Sequence, residues 1–527
     1  MEGKIEMKDL YCAYYTESQD ITTYMVNKLA VKEYDFVLEP SAGEGVFIEA
    51  LLNKNDSIKV DALDINADAI SILKNKYKDN PNIDIRLTDT LLDIELDRYM
   101  DRQLWGEHSN INSDEQVNLF NLSGGRYDKV IGNPPYGAWQ NYDKRSILKK
   151  KYKGQYVKET YSLFLLRCIS LLKLGGRLSF IIPDTFLFLN MHEKLRKIIL
   201  SHTKIEEILI FPSKFFPGVS FGYSNLSIIT LERCSREIAL TNSVQIIKGF
   251  KSPKEFCSLL NGVYPEHLIK YDLKQREILS NDKNRFMLSQ DKILSVIKKS
   301  SKVIGDVADV VTGFYTGDNK KFIRVDNNEI KGAKHYSVID KSKVFQSTSL
   351  EGLDTANEGF IPFVKSTSTY KYKRNYDSWY VRWDKHAIAL YNTCKKARFQ
   401  NSQFYFKTGI AVPMVKSKVV RATLMENRVF DQSIVGIFPK NQDYLYYILA
   451  LMNSDIINEF IHTINPTANN SSNYIKQIPF IEPDLKRKSI IDSLVQKILD
   501  LDFEEEFDKM SELHQTLNEY ISQIYSL

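Results

Sequence analysis

Over the first 235 residues, short apolar strand-like runs alternate with helix-like stretches, and this alternation constrains the fold more than any composition figure. A parallel sheet joined by crossover helices requires that pattern. Phe36-Val37-Leu38 reads as a buried strand entering Glu39-Pro40-Ser41-Ala42-Gly43-Glu44-Gly45, followed by a helix over 47–51. Further strands are predicted at 59–63, 83–87, 127–132, 178–183 and 225–231, with a helix at 161–172 stopped by Gly175-Gly176. The residues with chemical capacity, Glu39, Asp64, Asp89 and Asn133, all fall just past a strand. Open parallel sheets hold ligands in the crevice beyond the carboxyl ends of their strands.

The tetrad Asn133-Pro134-Pro135-Tyr136 suits one demanding operation, alkylation of an exocyclic amine on a planar ring. Such a nitrogen is a poor nucleophile because its lone pair is delocalised. An Asn133 side-chain oxygen and the Pro134 carbonyl can each accept one of its N–H hydrogens, freeing the pair for attack. Pro134 and Pro135 fix the backbone so that the carbonyl stays aimed. The Tyr136 ring offers a face on which a base can stack. Asn-Pro and Pro-Pro are also ordinary turn punctuation; the position after a strand favours the chemical reading. Upstream, the glycine-bearing 39–45 loop opens a helix, so Ser41, Gly43 and Gly45 let backbone N–H groups approach a carboxylate. Asp64 stands where such folds place the acid that accepts from ribose hydroxyls. Asp89 suits an adenine amine and the Thr90 backbone the ring nitrogen, although a helix N-cap competes for Asp89. Phe164 and Ile65 could sandwich that ring or serve as core. The GxGxxG and GxxxxGK[ST] signatures are absent.

The 527-residue chain, 43% hydrophobic, can bury two or three domains. It has no apolar run long enough to span a membrane and no signal-peptide pattern. A soluble, intracellular protein is expected. Cys12, Cys168, Cys234, Cys257 and Cys394 are scattered without a CxxC pair, which disfavours disulfides and a zinc site, and no metal is expected. Net charge is +5, yet residues 362–421 carry 13 Lys/Arg against two Asp, interleaved with twelve aromatics. That is the footprint of a nucleic-acid surface, with a merely solvated face as the alternative. Its candidate contacts are Lys371, Lys373, Arg374, Arg382, Lys395, Lys396 and Arg398. Residues 490–525 show heptad-like spacing, which predicts a packed helix pair.

In their order, these segments resemble the γ-class S-adenosylmethionine-dependent DNA adenine-N6 methylases of restriction–modification systems. The resemblance covers residues 9–232. Ala13-Tyr14-Tyr15-Thr16-Glu17 is similar to the family's N-terminal cofactor segment, implying that Tyr15 and Thr16 meet the cofactor and Thr16 its methionine carboxylate. The 38–45 loop resembles motif I, Asp64 motif II, Thr88-Asp89 motif III, the tetrad motif IV and Thr160-Tyr161-Ser162-Leu163-Phe164 motif V. Phe215-Phe216-Pro217-Gly218 resembles the later motif whose aromatic stacks on a flipped base, implying that Phe216, or Phe215 in the neighbouring register, pairs with Tyr136. More loosely, residues 305–308, 316–322, 451–454 and 478–479 resemble target-recognition domains of type I and type IIG systems.

The resemblance implies an α/β, Rossmann-like class I methyltransferase sheet, mostly parallel with one antiparallel strand, and a C-terminal α+β target-recognition domain. The boundaries expected are 1–235 for the methyltransferase domain, 236–295 for a connector and 296–527 for the recognition domain. The implied partner is double-stranded DNA, gripped in a basic cleft between domains, with S-adenosyl-L-methionine as cofactor. A stand-alone, monomeric, cytoplasmic, nucleoid-associated bacterial enzyme is expected, with any cognate restriction endonuclease acting independently. The alternatives are methylation of RNA adenine or of a protein glutamine, or an inactive DNA-specificity subunit.

Overall fold

Strand β1 (Phe36–Glu39) is short and apolar enough to sit at the centre of a sheet, with Val37 and Leu38 fully buried. In the computed structural model it pairs in parallel with β2 (Lys59–Asp64) on one side and β4 (Tyr127–Gly132) on the other. The structure describes residues 18–100, 124–137, 142–216, 225–289, 291–330, 332–366, 370–373, 377–414, 419–465 and 470–526. Tyr15, Thr16, Arg374, Pro217 and Gly218 therefore lie outside the described residues.

β3 (Ile83–Leu87) and β5 (Leu172–Pro183) continue the parallel set. β6 (Thr203–Pro212), β7 (Asn225–Arg233), β8 (Ser243–Lys248) and β9 (Ile269–Lys274) complete nine strands in the order β3-β2-β1-β4-β5-β7-β6-β8-β9. β7 runs antiparallel to both β5 and β6, the reversed strand expected of this sheet. A second reversed strand, β9, pairs with β8 at the edge.

Three features depart from the sequence reading. Gly175-Gly176 do not stop a helix: the helix Thr160–Leu171 passes directly into β5, and both glycines lie within that strand. β6 escapes detection because Lys204, Glu206 and Glu207 break its apolar pattern. Glu207 is nonetheless buried, accepting from the Tyr24 hydroxyl at 2.7 Å and pairing with Lys28 at 2.8 Å. Residues 236–286 are no connector. β8 adds to β6 in parallel and buries Val244, Ile246 and Ile247, while Phe256 stacks on Phe250 at 4.5 Å. The chain divides after Phe286 into two compact units.

The second unit is α+β. Ala308–Thr312, Ile434–Pro439, Gly409–Pro413 and Thr423–Met425 form a four-stranded antiparallel sheet in that order. Ser337–Val338, Ile323–Val325, Trp379–Arg382, Phe360–Val364 and Val429–Phe430 form a five-stranded mixed one. The end of the chain is the helix pair the spacing predicts, Leu485–Asp500 and Phe507–Tyr525, burying Ile491, Val495, Ile498, Leu517 and Ile521.

Candidate active site

Four loops at the carboxyl ends of β1 to β4 carry the polar residues singled out above, and hydrogen bonds tie those loops to one another. Thr90 is buried and donates its hydroxyl to the Pro40 carbonyl at 2.6 Å, joining the loop after β3 to the loop after β1. Ser41 Oγ lies 3.4 Å from the Asn133 carbonyl, which it reaches as donor, joining β1 to β4. Asp64 Oδ2 accepts from the Gly43 N–H and Oδ1 from the Asn66 N–H, each at 2.8 Å. Asp64 is thus oriented by backbone donors, and each oxygen keeps a second lone pair for a ligand hydroxyl.

The 39–45 loop turns tightly because Gly43 and Gly45 adopt positive φ, +51° and +84°. A Cβ on Gly45 would fall 2.5 Å from Leu73 Cδ2. Gly45 also caps helix α1 (Val46–Lys54), whose N-terminal N–H groups face the loop.

Glu39 is 1% exposed, and neither carboxylate oxygen has a hydrogen-bond partner among the described residues. Burial, and then the charge of Asp64, push its carboxyl well above the usual carboxylate range. A buried acid with unused acceptors beside a second acid and a glycine turn is a seat for a ligand bringing donors and positive charge. The residues therefore fit an amine-bearing, cationic cofactor such as S-adenosylmethionine.

Asn133 follows β4 directly. Its Oδ1 accepts from the Tyr136 hydroxyl at 2.9 Å, and Tyr136 is 1% exposed. Thr160 donates to the Pro135 carbonyl at 2.7 Å and leaves no room at Gly137, where a Cβ would lie 2.2 Å from Thr160 Oγ1. The tetrad is thereby held between β4 and helix α2 (Thr160–Leu171). Phe164 lies on that helix, nearly buried, while Ile65 stands 45% exposed after β2.

Asp89 does not present a vacant carboxylate. Oδ1 accepts from the Leu91 N–H at 3.0 Å and Oδ2 pairs with Lys144 at 2.7 Å. Phe216 is 2% exposed against Phe211 at 6.0 Å, and half-buried Phe215 stacks on the same ring at 5.8 Å and 15°. Neither Tyr136 nor Phe216 presents an open face, so a stacked base requires both rings to be uncovered.

In the second unit, most of the described aromatics of the basic stretch turn inward. Phe314 meets Phe363, Trp383, Tyr391, Phe399 and Tyr405 with ring centroids 5.3–5.9 Å apart. Those rings are core, not stacking platforms. Three of the expected phosphate-contacting cations are likewise spent inside the fold. Lys371 donates to the Asn453 carbonyl at 2.8 Å and lies 2.7 Å from His514 Nε2. Lys373 donates to the Leu501 carbonyl at 3.0 Å. Arg382 pairs with Asp384 at 2.6 Å and Glu358 at 2.7 Å. Lys395, Lys396 and Arg398 are exposed. Segments 305 and 478 meet: the Ile304 N–H donates to the Ile478 carbonyl at 2.9 Å, which closes the unit on itself.

The ordered loops of the first unit have counterparts in a known family. Residues 8–216 match the Eco57I restriction-modification methylase family. Over more of the chain, similarity is lower. Type II methyltransferase M.HindII of Haemophilus influenzae is 24% identical over 494 residues, spanning 86% of this chain and 85% of that protein. Adenine-specific methyltransferase BrxX of Escherichia coli is 24% identical over 379 residues, 69% of this chain but only 29% of BrxX. Among solved structures, a nuclease-deletion mutant of the Type ISP restriction-modification enzyme LlaGI aligns with a TM-score of 0.56 at 13% identity. That alignment covers 93% of this chain and 47% of that one, a likeness of fold.

For a chain matching the Eco57I methylase family, the structure adds one residue that sequence reasoning overlooked, Lys144, and two contacts that it did not foresee. Thr160 fixes the tetrad through the Pro135 carbonyl, Lys144 occupies Asp89, and the Tyr136 hydroxyl occupies Asn133. Thr160 was legible as the first residue of the fifth motif, but its hydroxyl's target was not. Among the described residues, no group of three or more His, Cys, Asp or Glu is disposed to hold a metal ion, and no helix is long and apolar enough to cross a membrane.

Proposed function

We infer that this chain is a site-specific DNA methyltransferase that uses S-adenosylmethionine and acts on N6 of an adenine turned out of the duplex. The observation that carries the reading is Asn133-Pro134-Pro135-Tyr136 at the end of β4, roofed by Thr160 and adjoined by the Ser41 loop. In support, the matched family is one of restriction-modification methylases, and relatives include one named adenine-specific.

S-adenosylmethionine supplies a methyl group on a sulfonium, an already activated electrophile. The residues suited to hold it are Glu39, Ser41, Gly43, Gly45, Asp64, Ile65, Thr90 and Phe164, with Asp89 once Lys144 releases its carboxylate and with Tyr15 and Thr16. Glu39 and Asp64 would bind its positive charge and hydroxyls. Asn133 Oδ1 and the Pro134 carbonyl would accept the two amine hydrogens, after Tyr136 releases the amide oxygen. Positioning and electrostatics then supply the rate. No group with a shifted pKa is needed as a base, because the methylated amine is acidified by its own positive charge and sheds its proton afterwards.

The second unit would read base edges, and Lys395, Lys396 and Arg398 would meet phosphates. The reading also carries a bacterial cytoplasmic setting, a monomer on an asymmetric site, and an endonuclease, if one is paired with it, that acts separately. The test is methyl transfer from tritiated S-adenosylmethionine, offered in parallel to duplex DNA, RNA and protein. Label is expected in duplex DNA with wild type and not with Asn133→Ala. Incorporation only into RNA or protein, or unaltered turnover by Asn133→Ala, contradicts the reading.

A further inference from the structure

A short way after the tetrad comes a dense run of positive charge in the catalytic unit. Residues 144–158 hold Lys144, Arg145, Lys149, Lys150, Lys151, Lys153 and Lys158, with no Asp or Glu. Most of the run forms helix α3 (Tyr142–Lys151). Cations one turn apart, as Arg145 and Lys149 are, repel and disfavour an isolated helix, so this one must be held by what it packs against. Leu148 and Tyr152 are fully buried, and the Tyr152 hydroxyl donates to the Leu91 carbonyl at 2.8 Å. Lys144 pairs with Asp89 and Lys151 with Asp97, each at 2.7 Å.

These fastenings neutralise the inward cations and leave Lys149, Lys150, Lys153 and Lys158 exposed, with no acidic partner among the described residues. They also fix where those charges stand. Asp89 and Leu91 belong to the loop after β3, and α3 itself follows the loop after β4, so the helix that bears these lysines is fastened at the same edge of the sheet as the candidate active site.

We propose that Lys149, Lys150 and Lys153 form a phosphate-binding surface within the catalytic unit, gripping the duplex backbone that flanks the extruded base. The proposal rests on the DNA methyltransferase reading and gives it a second, separately placed set of contacts. Its occupant follows from charge and place. A polyanion with regularly spaced charges matches uncompensated lysines on one anchored helix and the turn that ends it. A base swung out of its stack must also have its neighbouring phosphates held in register by the unit that performs the chemistry. The recognition unit would then select the sequence while α3 holds the strand.

The test compares the full-length protein with the triple variant Lys149→Gln/Lys150→Gln/Lys153→Gln, measuring anisotropy of a fluorescein-labelled mixed-sequence duplex over a salt series. Each lost phosphate contact lowers the slope of log affinity against log salt by about 0.9, so a reduction of about 2 to 3 is expected. The corresponding triple Lys→Arg variant should keep the wild-type slope. Retention of labelled S-adenosylmethionine and an unchanged melting temperature would establish that the glutamine variant is folded. A glutamine variant with the wild-type slope overturns the proposal. Methyl transfer by wild type to genomic DNA, run alongside, separates the two claims. If wild type is inactive there, the methyltransferase reading fails; if it is active and the slopes coincide, only the role of α3 fails.

Discussion

Tyr136 does two separable things at the candidate site: its ring fills a buried space and its hydroxyl occupies the Asn133 amide oxygen. Removing the ring and removing the hydroxyl should therefore differ in kind. Tyr136→Ala should destabilise the first unit by about 3 kcal/mol, the cost of deleting a buried aromatic, and remove the surface for the base. Tyr136→Phe should keep the fold and retain transfer, because it deletes only the hydroxyl that the amine must displace. Thermal melting with single-turnover methylation checks both; loss of all activity in the phenylalanine variant would make the hydroxyl a participant. Glu39 supports a prediction of its own. Its folded-state pKa is raised, so its stabilising contribution is complete below the ordinary carboxylate range and is lost as pH rises through the folded value. Glu39→Gln should accordingly raise the melting temperature of the ligand-free protein, increasingly so at higher pH, while weakening S-adenosylmethionine binding. A calorimetric titration and a melting series over pH read the two effects, and stabilisation without loss of affinity would remove Glu39 from the cofactor site.

The elements were legible to the extent that burial and periodicity agreed. β1, β4 and β7 stand where apolar runs end in a polar residue, because central strands are covered on both faces and read as continuous apolar stretches, whereas the edge strand β3 was legible from its alternation of Ile83, Ile85 and Leu87 with Asp84 and Arg86. β6 was hidden by Glu207, which accepts from the Tyr24 hydroxyl and pairs with Lys28, 183 and 179 residues earlier in sequence. Only tertiary structure supplies that pairing. The basic-aromatic stretch misled for the same reason in reverse. Its charges looked free, yet Lys371 is bonded to the Asn453 carbonyl and approaches His514 on the helix Phe507–Tyr525. That contact predicts the acid response of the second unit. His514 Nε2 faces the Lys371 ammonium and Nδ1 lies 2.7 Å from the Tyr372 hydroxyl, an arrangement suited to a neutral ring. Burial, and then the Lys371 charge, lower its pKa to about 4, with Asp455 opposing. A depressed histidine contributes stability that is present above its unfolded pKa, about 6.5, and is lost as pH falls toward 4. The loss is on the order of 2 kcal/mol after allowance for partial solvent screening. Urea unfolding should therefore weaken more steeply between those pH values in wild type than in His514→Gln; parallel curves would contradict it.

For the molecule as a whole, two compact units divide the work on this account. The first carries a nine-stranded sheet whose carboxyl edge gathers Glu39, Asp64 and Asn133, and the second carries two sheets and the terminal helix pair. The order of the strand-end residues made the candidate site of the first unit legible, because a ligand crevice in a parallel sheet is assembled from such ends. Where the unit stops was not legible. Val244, Ile246 and Ile247 lie among lysines and polar residues, so β8 reads as linker until its partner β6 is known. Base contacts were less legible still, since loop geometry rather than residue type determines which side chain reaches a groove. The central claim, transfer of a methyl group to adenine N6 through the tetrad, is tested most directly by nucleoside mass spectrometry. Genomic DNA lacking methylation would be incubated with S-adenosylmethionine and either wild type or Asn133→Ala, then hydrolysed. The account predicts N6-methyladenine with wild type and none above background with the variant. A different methylated nucleoside, or equal N6-methyladenine from both proteins, would contradict it.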